Sequence, residues 1–360
     1  MAASIFRPLM NILPQVQSKA MNQVIRIGTR ESQLAVWQAT QVQQFLLQHN
    51  FQSALVYIKS EGDIDLQTPL YEMGVQGIFT KSLDIALLNN KIDIAVHSMK
   101  DVPTQMAKGI VHAAVLKRAS HKDILVPHPD IDNVSKIFGM GVVEIESISI
   151  TKTGSRTKKT ITKREVNTGE KISAIIATSS IRRKAQWLHR FPHHTIETLR
   201  GNVNTRLRKL KESNWHGAIF AAAGLERIGL RPEKSIELDW MLPAPAQGAI
   251  MVVCRDADTY CLEACSTMHD TATALCTKAE RDFLRTLLGG CSTPISALAE
   301  IKNGVLHFRG NIFSPDGKHK VEVETSCPVN DAVDVGVKAA KDLLDNGGAE
   351  IANSIRNAAK

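Results

Sequence analysis

An aspartate, a set of arginines and one cysteine carry the chemistry that this 360-residue chain makes available. Asp101 lies in DIAVHSMKDVPT, residues 93–104. Ile92, Ile94 and Val96 are β-branched, and with Ala95 they predict a short strand, buried on both faces, that ends near His97. Pro103 has no N–H and biases Val102 to an extended conformation, so the ladder stops there. Asp101 therefore falls just past a strand's carboxyl end, which is where open α/β sheets bind ligands. A carboxylate so placed can stabilise developing positive charge or move a proton. Taken alone, a loop aspartate is a turn residue or a helix cap. Its company elsewhere in the chain is what singles it out.

That company is basic. ISAIIA (172–177) predicts a buried strand and hands over at once to a helix, so Thr178, Ser179, Ser180, Arg182 and Arg183 crowd the junction. TIETL (195–199) repeats the theme with Arg200 and Arg206, and GAIFAAAG (217–224) with Arg227. The first strand, VIRIGT, likewise turns into a helix at Arg30 and Ser32. Helix N-termini favour anions, and arginine's planar fork fits a carboxylate with two parallel bonds. A cleft that collects arginines around one aspartate suits a small substrate with several carboxylates. For Ser32 the competing reading is a plain helix cap.

A nucleic-acid face would look different. It would string Lys and Arg along an exposed surface with aromatics between them, whereas aromatics make up 5% of this chain. The net charge of +8 is also concentrated, with seven Lys or Arg against two Glu between Thr151 and Lys171. Two Thr/Ile/Val-rich runs there flank Thr153–Arg156 and predict a β-hairpin with a Gly-Ser turn. Its lysines read as protection of an exposed edge, with phosphate binding as the alternative.

The elements that must position these groups alternate strand and helix, which argues for α/β sheets. A long loop, EGDIDLQTPLYEMGVQGIF (61–79), interrupts the first of them, and loops of that length are functional or mobile. The prolines of LPAPAQGAIMVV force an extended path, and AIMVV predicts a strand that returns to the first sheet. A helix from about Thr271 repeats Leu275, Ala279, Phe283 and Leu287, and Gly289 and Gly290 close it. A three-stranded meander with a Pro-Asp-Gly turn and a helix over roughly 332–344 follow. The six cysteines match no zinc or redox spacing. Five read as reduced, mostly buried thiols, while Cys291 sits in a Gly-Gly-Cys loop. No apolar run approaches the length of a membrane span. Residues 1–21, with Arg7 and Lys19 and no acidic residue, read as a weak organelle-targeting leader, an extension or a misassigned start, outside the fold.

IRIGTRESQLAVWQA, DIAVHSMKDVPT, ATSSIRRKAQW, LRGNVNTRLRKL, PAQGA and GGCSTPI, in this order and spacing, resemble the porphobilinogen deaminase (hydroxymethylbilane synthase) family. The resemblance implies two periplasmic-binding-protein-like α/β domains with a cleft between them and a smaller α+β domain. On that basis residues 22–118 with 246–266 form domain 1, 119–245 domain 2 including the basic hairpin (about 130–171), and 267–360 domain 3. It implies a transferase that joins four porphobilinogens head to tail with loss of ammonia, then releases hydroxymethylbilane by hydrolysis. Asp101 matches the catalytic aspartate. Cys291 matches the cysteine that carries a dipyrromethane cofactor by a thioether. Cofactor-binding positions match Ser32, Asp63, Lys100, Thr178, Ser179, Ser180, Arg182, Arg183, Arg200 and Gly201, and substrate-binding positions match Arg30, Arg206, Arg227 and Gln247. A cytoplasmic monomer is implied, with no metal, nucleic acid or membrane as partner. The long loop departs from many relatives, with Glu72 and Gln76 in place of lysines. The rival reading is a non-catalytic binding protein of the same two-lobed shape, which accounts for the cleft but not for Cys291 together with Asp101.

Overall fold

A computed structural model describes residues 23–59, 80–131, 145–153, 156–164, 173–287 and 293–358. The elements in chain order are β1 (Ile25–Thr29), α1 (Gln33–Gln48), β2 (Ser53–Tyr57), α2 (Lys81–Leu88), β3 (Ile94–Ser98), β4 (Ile110–Val115) and β5 (Asp123–Pro127). Then come β6 (Ile145–Thr153), β7 (Arg156–Arg164), β8 (Ile175–Ala177), α3 (Ile181–Arg190), β9 (Thr195–Glu197), α4 (Val203–Lys211), β10 (Gly217–Ala221), α5 (Ala222–Glu226) and β11 (Ile236–Glu237). The last are β12 (Ile250–Arg255), α6 (Thr259–Ser266), α7 (Thr271–Leu287), β13 (Ile295–Lys302), β14 (Val305–Phe313), β15 (His319–Pro328), α8 (Val335–Leu343) and α9 (Ala349–Ala358).

Three five-stranded sheets result, ordered β2-β1-β3-β12-β4, β11-β5-β10-β8-β9 and β13-β14-β15-β6-β7. This is the expected α/β architecture, two mixed sheets with helices between their strands and a third, smaller α+β unit. In the first sheet β1 runs parallel to β2 and β3, so the carboxyl ends of β1 and β3 share one edge. The run AIMVV does return there, as β12, antiparallel to β3 and β4. In the second sheet β8 runs parallel to β9 and β10, which again puts three carboxyl ends on one edge. Both sheets are packed on both faces. Ile25, Ile94, Val96 and Val252 lie on one side of the first, Ala95, Met99, Met251 and Val253 on the other. Burial on both faces explains why these strands read as unbroken apolar runs.

Two segments cross between the lobes, and they are tied together where they pass. Arg118 Nε donates to the Gln247 carbonyl at 2.8 Å, Ala119 N to the Gly248 carbonyl at 3.1 Å, and Gln247 Nε2 to the His121 carbonyl at 2.8 Å. Gly248 has φ +88°, and a Cβ there would lie 2.6 Å from the Ser120 carbonyl, so only glycine lets the two crossings approach. Glu280, fully buried on α7, clamps this junction. It pairs with Arg118 at 2.5 Å and accepts from Ala246 N at 2.6 Å and Ala299 N at 2.8 Å.

The hairpin forms as the sequence indicates, with Thr153 opposite Arg156, but it does not extend the second sheet. Instead β6 pairs in parallel with β15 from His319↔Glu146 to Thr325↔Lys152 and so completes the third sheet. Ile150 is 1% exposed in that unit's core and Ile148 packs beside it. Ser149 bonds Glu322, and Lys152 reaches Asp342 at 3.0 Å. The stretch counted with the second domain by its place in the chain thus belongs to the third by packing. Deleting residues 145–164 is expected to lower the stability of this unit by about 2–4 kcal/mol, the burial of these two isoleucines, while turnover at low temperature persists. Thermal unfolding of the deletion variant checks this, and a melting temperature equal to the full chain's would refute it.

The apolar spacing of residues 33–48 predicts a helix with Leu34, Trp37, Val42, Phe45 and Leu46 near one face, and the structure differs there and at the C-terminus. On α1 the buried face is Gln38, Ala39, Val42 and Leu46, with Phe45 outside, because Gln38 turns inward to bond Ser98 Oγ at 3.0 Å. Beyond α8 lies a second terminal helix, α9, absent from the sequence reading.

Candidate active site

Asp101 closes a 3-10 turn, Met99–Asp101, directly after β3. Arg30 and Ser32 follow the neighbouring β1 on the same sheet edge. Ser32 caps α1, accepting from Ala35 N at 3.4 Å. In the facing lobe Ser180 caps α3 in the same way, through Arg183 N at 3.4 Å, and Thr178 Oγ1 accepts from Ser180 N at 3.2 Å. Ser179 Oγ is buried without a hydrogen-bond partner among the described residues. Gly201, at φ +114°, offers its carbonyl to Arg206 Nε at 2.7 Å and so aims that guanidinium. A Cβ on Gly201 would lie 2.7 Å from the Thr205 side chain.

The charges meet across the cleft. Burial lowers the Lys100 ammonium to about 8, opposed by the negative charge of Asp101 and assisted by Arg183. Burial likewise lowers Arg206 to about 10, with Arg183 assisting and Asp101 again opposing. Asp101 on the first lobe therefore lies within electrostatic reach of Arg206 on the second. Arg200, 4% exposed, is another neighbour of Arg206.

Arg182 and Arg183 differ from the expectation. Both guanidinium groups already hold a carboxylate of the protein, that of Asp123, which is fully buried. Arg183 reaches Asp123 Oδ1 at 2.7 Å from Nη2 and 3.1 Å from Nε, and the Ile219 carbonyl at 2.9 Å from Nη1. Arg182 Nη2 reaches Asp123 Oδ2 at 2.8 Å, and Nη1 the Leu242 carbonyl at 2.7 Å. Burial pushes the Asp123 carboxyl up, but the two arginines, with bonds from Arg183 and Gln247, pull it well below the carboxylate range. The triad retains one net positive charge and N–H groups beyond these bonds. Gln247 is a bridge rather than an open donor: Nε2 serves Asp123 at 2.9 Å and His121, and Oε1 accepts from Lys100 Nζ at 3.3 Å. Arg227 points to the junction, donating to the Gly248 carbonyl at 2.7 Å with its guanidinium 5.6 Å from the Trp37 ring.

Asp63, Cys291, Glu72 and Gln76 lie outside the described residues. The flanks of the Cys291 loop are nonetheless in place. Leu287 ends α7, and Ser296, fully buried on β13, accepts from Gln186 Nε2 at 3.0 Å. Gln186 lies one turn beyond Arg182 on α3, the helix whose N-terminus presents Ser180 and Arg183.

Sequence reasoning missed Asp123, Arg118 and Glu280. The signal, a charge at the head of the apolar run ILV and another inside the apolar repeat of α7, is visible only once their partners are known. No cluster able to hold a metal ion occurs among the described residues, and no helix there is long and apolar enough to cross a membrane.

Comparison with known proteins agrees with this geometry. Residues 25–263 match the family model described as porphobilinogen deaminase, dipyromethane cofactor binding domain, and residues 274–345 match that of the porphobilinogen deaminase C-terminal domain. The chain belongs to the porphobilinogen deaminase family. The porphobilinogen deaminase of Syntrophotalea carbinolica is 38% identical over 327 residues, covering 90% of this chain and 93% of that protein. Those of Syntrophomonas wolfei and Chloroherpeton thalassium are 37% and 35% identical, over 91% and 93% of this chain and 97% and 99% of their own. Membership makes this chain a transferase of tetrapyrrole biosynthesis that polymerises porphobilinogen and uses a dipyrromethane cofactor. The donor set fits such a group, because a pyrrole's acetate and propionate chains need clustered guanidinium, ammonium and hydroxyl donors, and Ser179 Oγ is buried with none of its own.

Proposed function

We propose that deamination and chain extension occur at Asp101, on a cofactor anchored by Cys291. The observation that carries this is the place of Asp101 in the turn after β3, beside Lys100, which Gln247 joins at 3.3 Å to the Arg182–Asp123–Arg183 group of the opposite lobe. Porphobilinogen brings carboxylates and a positive charge to the same place, and this arrangement supplies the complement of each. Arg30, Arg200 and Arg206 hold substrate and chain carboxylates. Lys100, Ser32, Thr178, Ser179, Ser180 and Gly201 line the cofactor's berth, with the Arg182–Asp123–Arg183 triad as a wall of net positive charge. Asp63 is assigned to the cofactor as well. Gln247 acts by holding Lys100, and Arg227 by holding the lobes together.

Asp101 does two things. Its carboxylate, placed beside the pyrrole N–H, opposes the positive charge that develops as the C–N bond of porphobilinogen breaks and ammonia leaves. Protonated between turnovers by the proton lost from the terminal pyrrole carbon as each ring is joined, it gives that proton to the next departing amine and so becomes the carboxylate that faces the cation. Bound dipyrromethane supplies the pyrrole terminus to which each new ring is joined. Lys100 and Arg206 are already largely shielded from water, which strengthens these interactions.

The same reading divides the chain into 22–118 with 246–266, 119–245 and 267–360, with the hairpin contributed to the third unit. We take the working form to be a cytoplasmic monomer, as the resemblance implies, and one without a nucleic-acid role, because Arg182, Arg183, Arg206 and Arg227 bond carboxylates and carbonyls of the protein rather than lining an open surface. Intact-protein mass spectrometry tests the anchor. The native chain should carry two pyrrole units and Cys291→Ser none, and a native chain without added mass would refute the reading.

Lys100 also sets a pH dependence. With its ammonium at about 8, charge is lost from the cleft as pH rises through that value. The apparent affinity for porphobilinogen should weaken above about pH 8, and Lys100→Arg should move that limb upward. An alkaline limb identical in both proteins would show that another group sets it.

A further inference from the structure

The turn that carries Asp101 is held from another domain. Arg281, 7% exposed, stands on α7 and points its guanidinium into the backbone following β3. Nη1 donates to the Val102 carbonyl at 2.8 Å and the Met99 carbonyl at 3.3 Å, and Nη2 to the Pro103 carbonyl at 2.6 Å. These carbonyls have no ladder to join. Asp101 ends the 3-10 turn, which a backbone bond from Val102 N to the Met99 carbonyl at 3.2 Å closes, and Pro103 brings no N–H. One planar fork thus fixes residues on both sides of Asp101. Hydrogen bonds from a charged donor in a buried setting are among the stronger ones available.

The same helix holds the rest of the frame. Glu280, the preceding residue, binds Arg118 and the Ala246 amide next to Gln247, which in turn holds Lys100. Six residues after Arg281, α7 ends at Leu287, immediately before the Cys291 loop. At 1.5 Å per residue that is about 9 Å along a rigid rod.

We propose that Arg281 is a positioning residue for the reaction, fixing the turn that carries Asp101 to α7 and so holding the carboxylate in its reactive place. This rests on the assignment of Asp101 and Cys291 given above. The turn and α7 belong to different units, and the direct tie between them limits how far the carboxylate can shift.

The test compares Arg281→Gln, Arg281→Lys and Asp101→Asn with the native protein, all as isolated with whatever cofactor each carries. Arg281→Gln should keep KM within about twofold and lower kcat by about 10- to 100-fold, the scale of a roughly 1 Å misplacement of a reacting group. Amide exchange in residues 99–104 should quicken, while β3 and β12 stay protected. Arg281→Lys, which keeps the charge and part of the bonding, should recover part of kcat and part of the protection. If the glutamine variant does not fold, the lysine variant decides. An intermediate kcat with faster exchange at 99–104 supports the proposal, and native kcat with native exchange overturns it. Unchanged exchange at 99–104 in a folded glutamine variant also overturns it, whatever its cofactor content. The control separates the two ideas. A fully active Asp101→Asn removes the assignment of Asp101 itself, whereas a slow Asp101→Asn beside a native-like Arg281→Gln removes only the role of Arg281.

Discussion

Asp101→Asn is expected to lower kcat by about 10²- to 10³-fold, the cost of removing one preorganised charge from a site where charge develops. The amide has the same shape, so the dipyrromethane mass should remain and KM should change little. What is lost is the negative charge that opposes the cation formed as ammonia departs, together with the group that passes a proton. A second signature distinguishes this from a packing defect. Asp101 holds the Lys100 and Arg206 values up against burial, so its neutralisation should let both fall further and move the alkaline limb of kcat/KM to lower pH. Asp101→Glu keeps the charge but displaces it, and should retain cofactor yet turn over poorly. Ammonia release measured in a single turnover, with mass spectrometry of the same sample, checks all of this. An Asp101→Glu or Asp101→Asn protein working at native speed would end the assignment.

The largest effect on stability is expected at Asp123, a residue that touches no substrate in this reading. Asp123→Asn should destabilise the second lobe by about 3–5 kcal/mol, because it leaves two buried guanidinium groups facing each other without their carboxylate. The pH dependence has a definite sign. The folded-state value lies below the unfolded one, so this stabilisation is complete above the unfolded carboxylate value of about 4 and is lost as pH falls beneath it. Acid unfolding of the native protein should therefore steepen below about pH 4, and that steepening should be missing from Asp123→Asn. Chemical denaturation across pH 3 to 7, followed by the Trp187 and Trp240 fluorescence of the second lobe, measures it. Equal stability of the two proteins at pH 7 would mean that the arginines find other partners at no cost.

These two residues mark how far local pattern carries. Asp101 was legible because the residues that announce it lie within a dozen positions: the β-branched run before it and the proline after it. Thr178 to Ser180, Arg200 and Arg206 were legible for the same reason, since a strand that turns at once into a helix must deliver its junction residues to that edge. The partner of Arg182 and Arg183 was not, because Asp123 lies 59 and 60 positions away and nothing near either end announces the pairing. A count of arginines at strand ends does not distinguish those aimed at a ligand from those neutralised by the protein's own carboxylate.

The sequence by itself determined the alternation of strand and helix, the strand at 250–255, the hairpin at 145–164 and the residues at each strand end, all of which depend on chemistry within a turn or two of chain. Tertiary structure alone decided that the hairpin pairs with β15, that Gln247 joins Lys100 to Asp123, and that Glu280 and Arg281 of α7 hold the junction and the Asp101 turn. The physical reason is that a strand edge, a buried carboxylate and an unpaired carbonyl each accept any partner of matching chemistry. Which one arrives is set by how three separately formed sheets pack, not by the residues alongside.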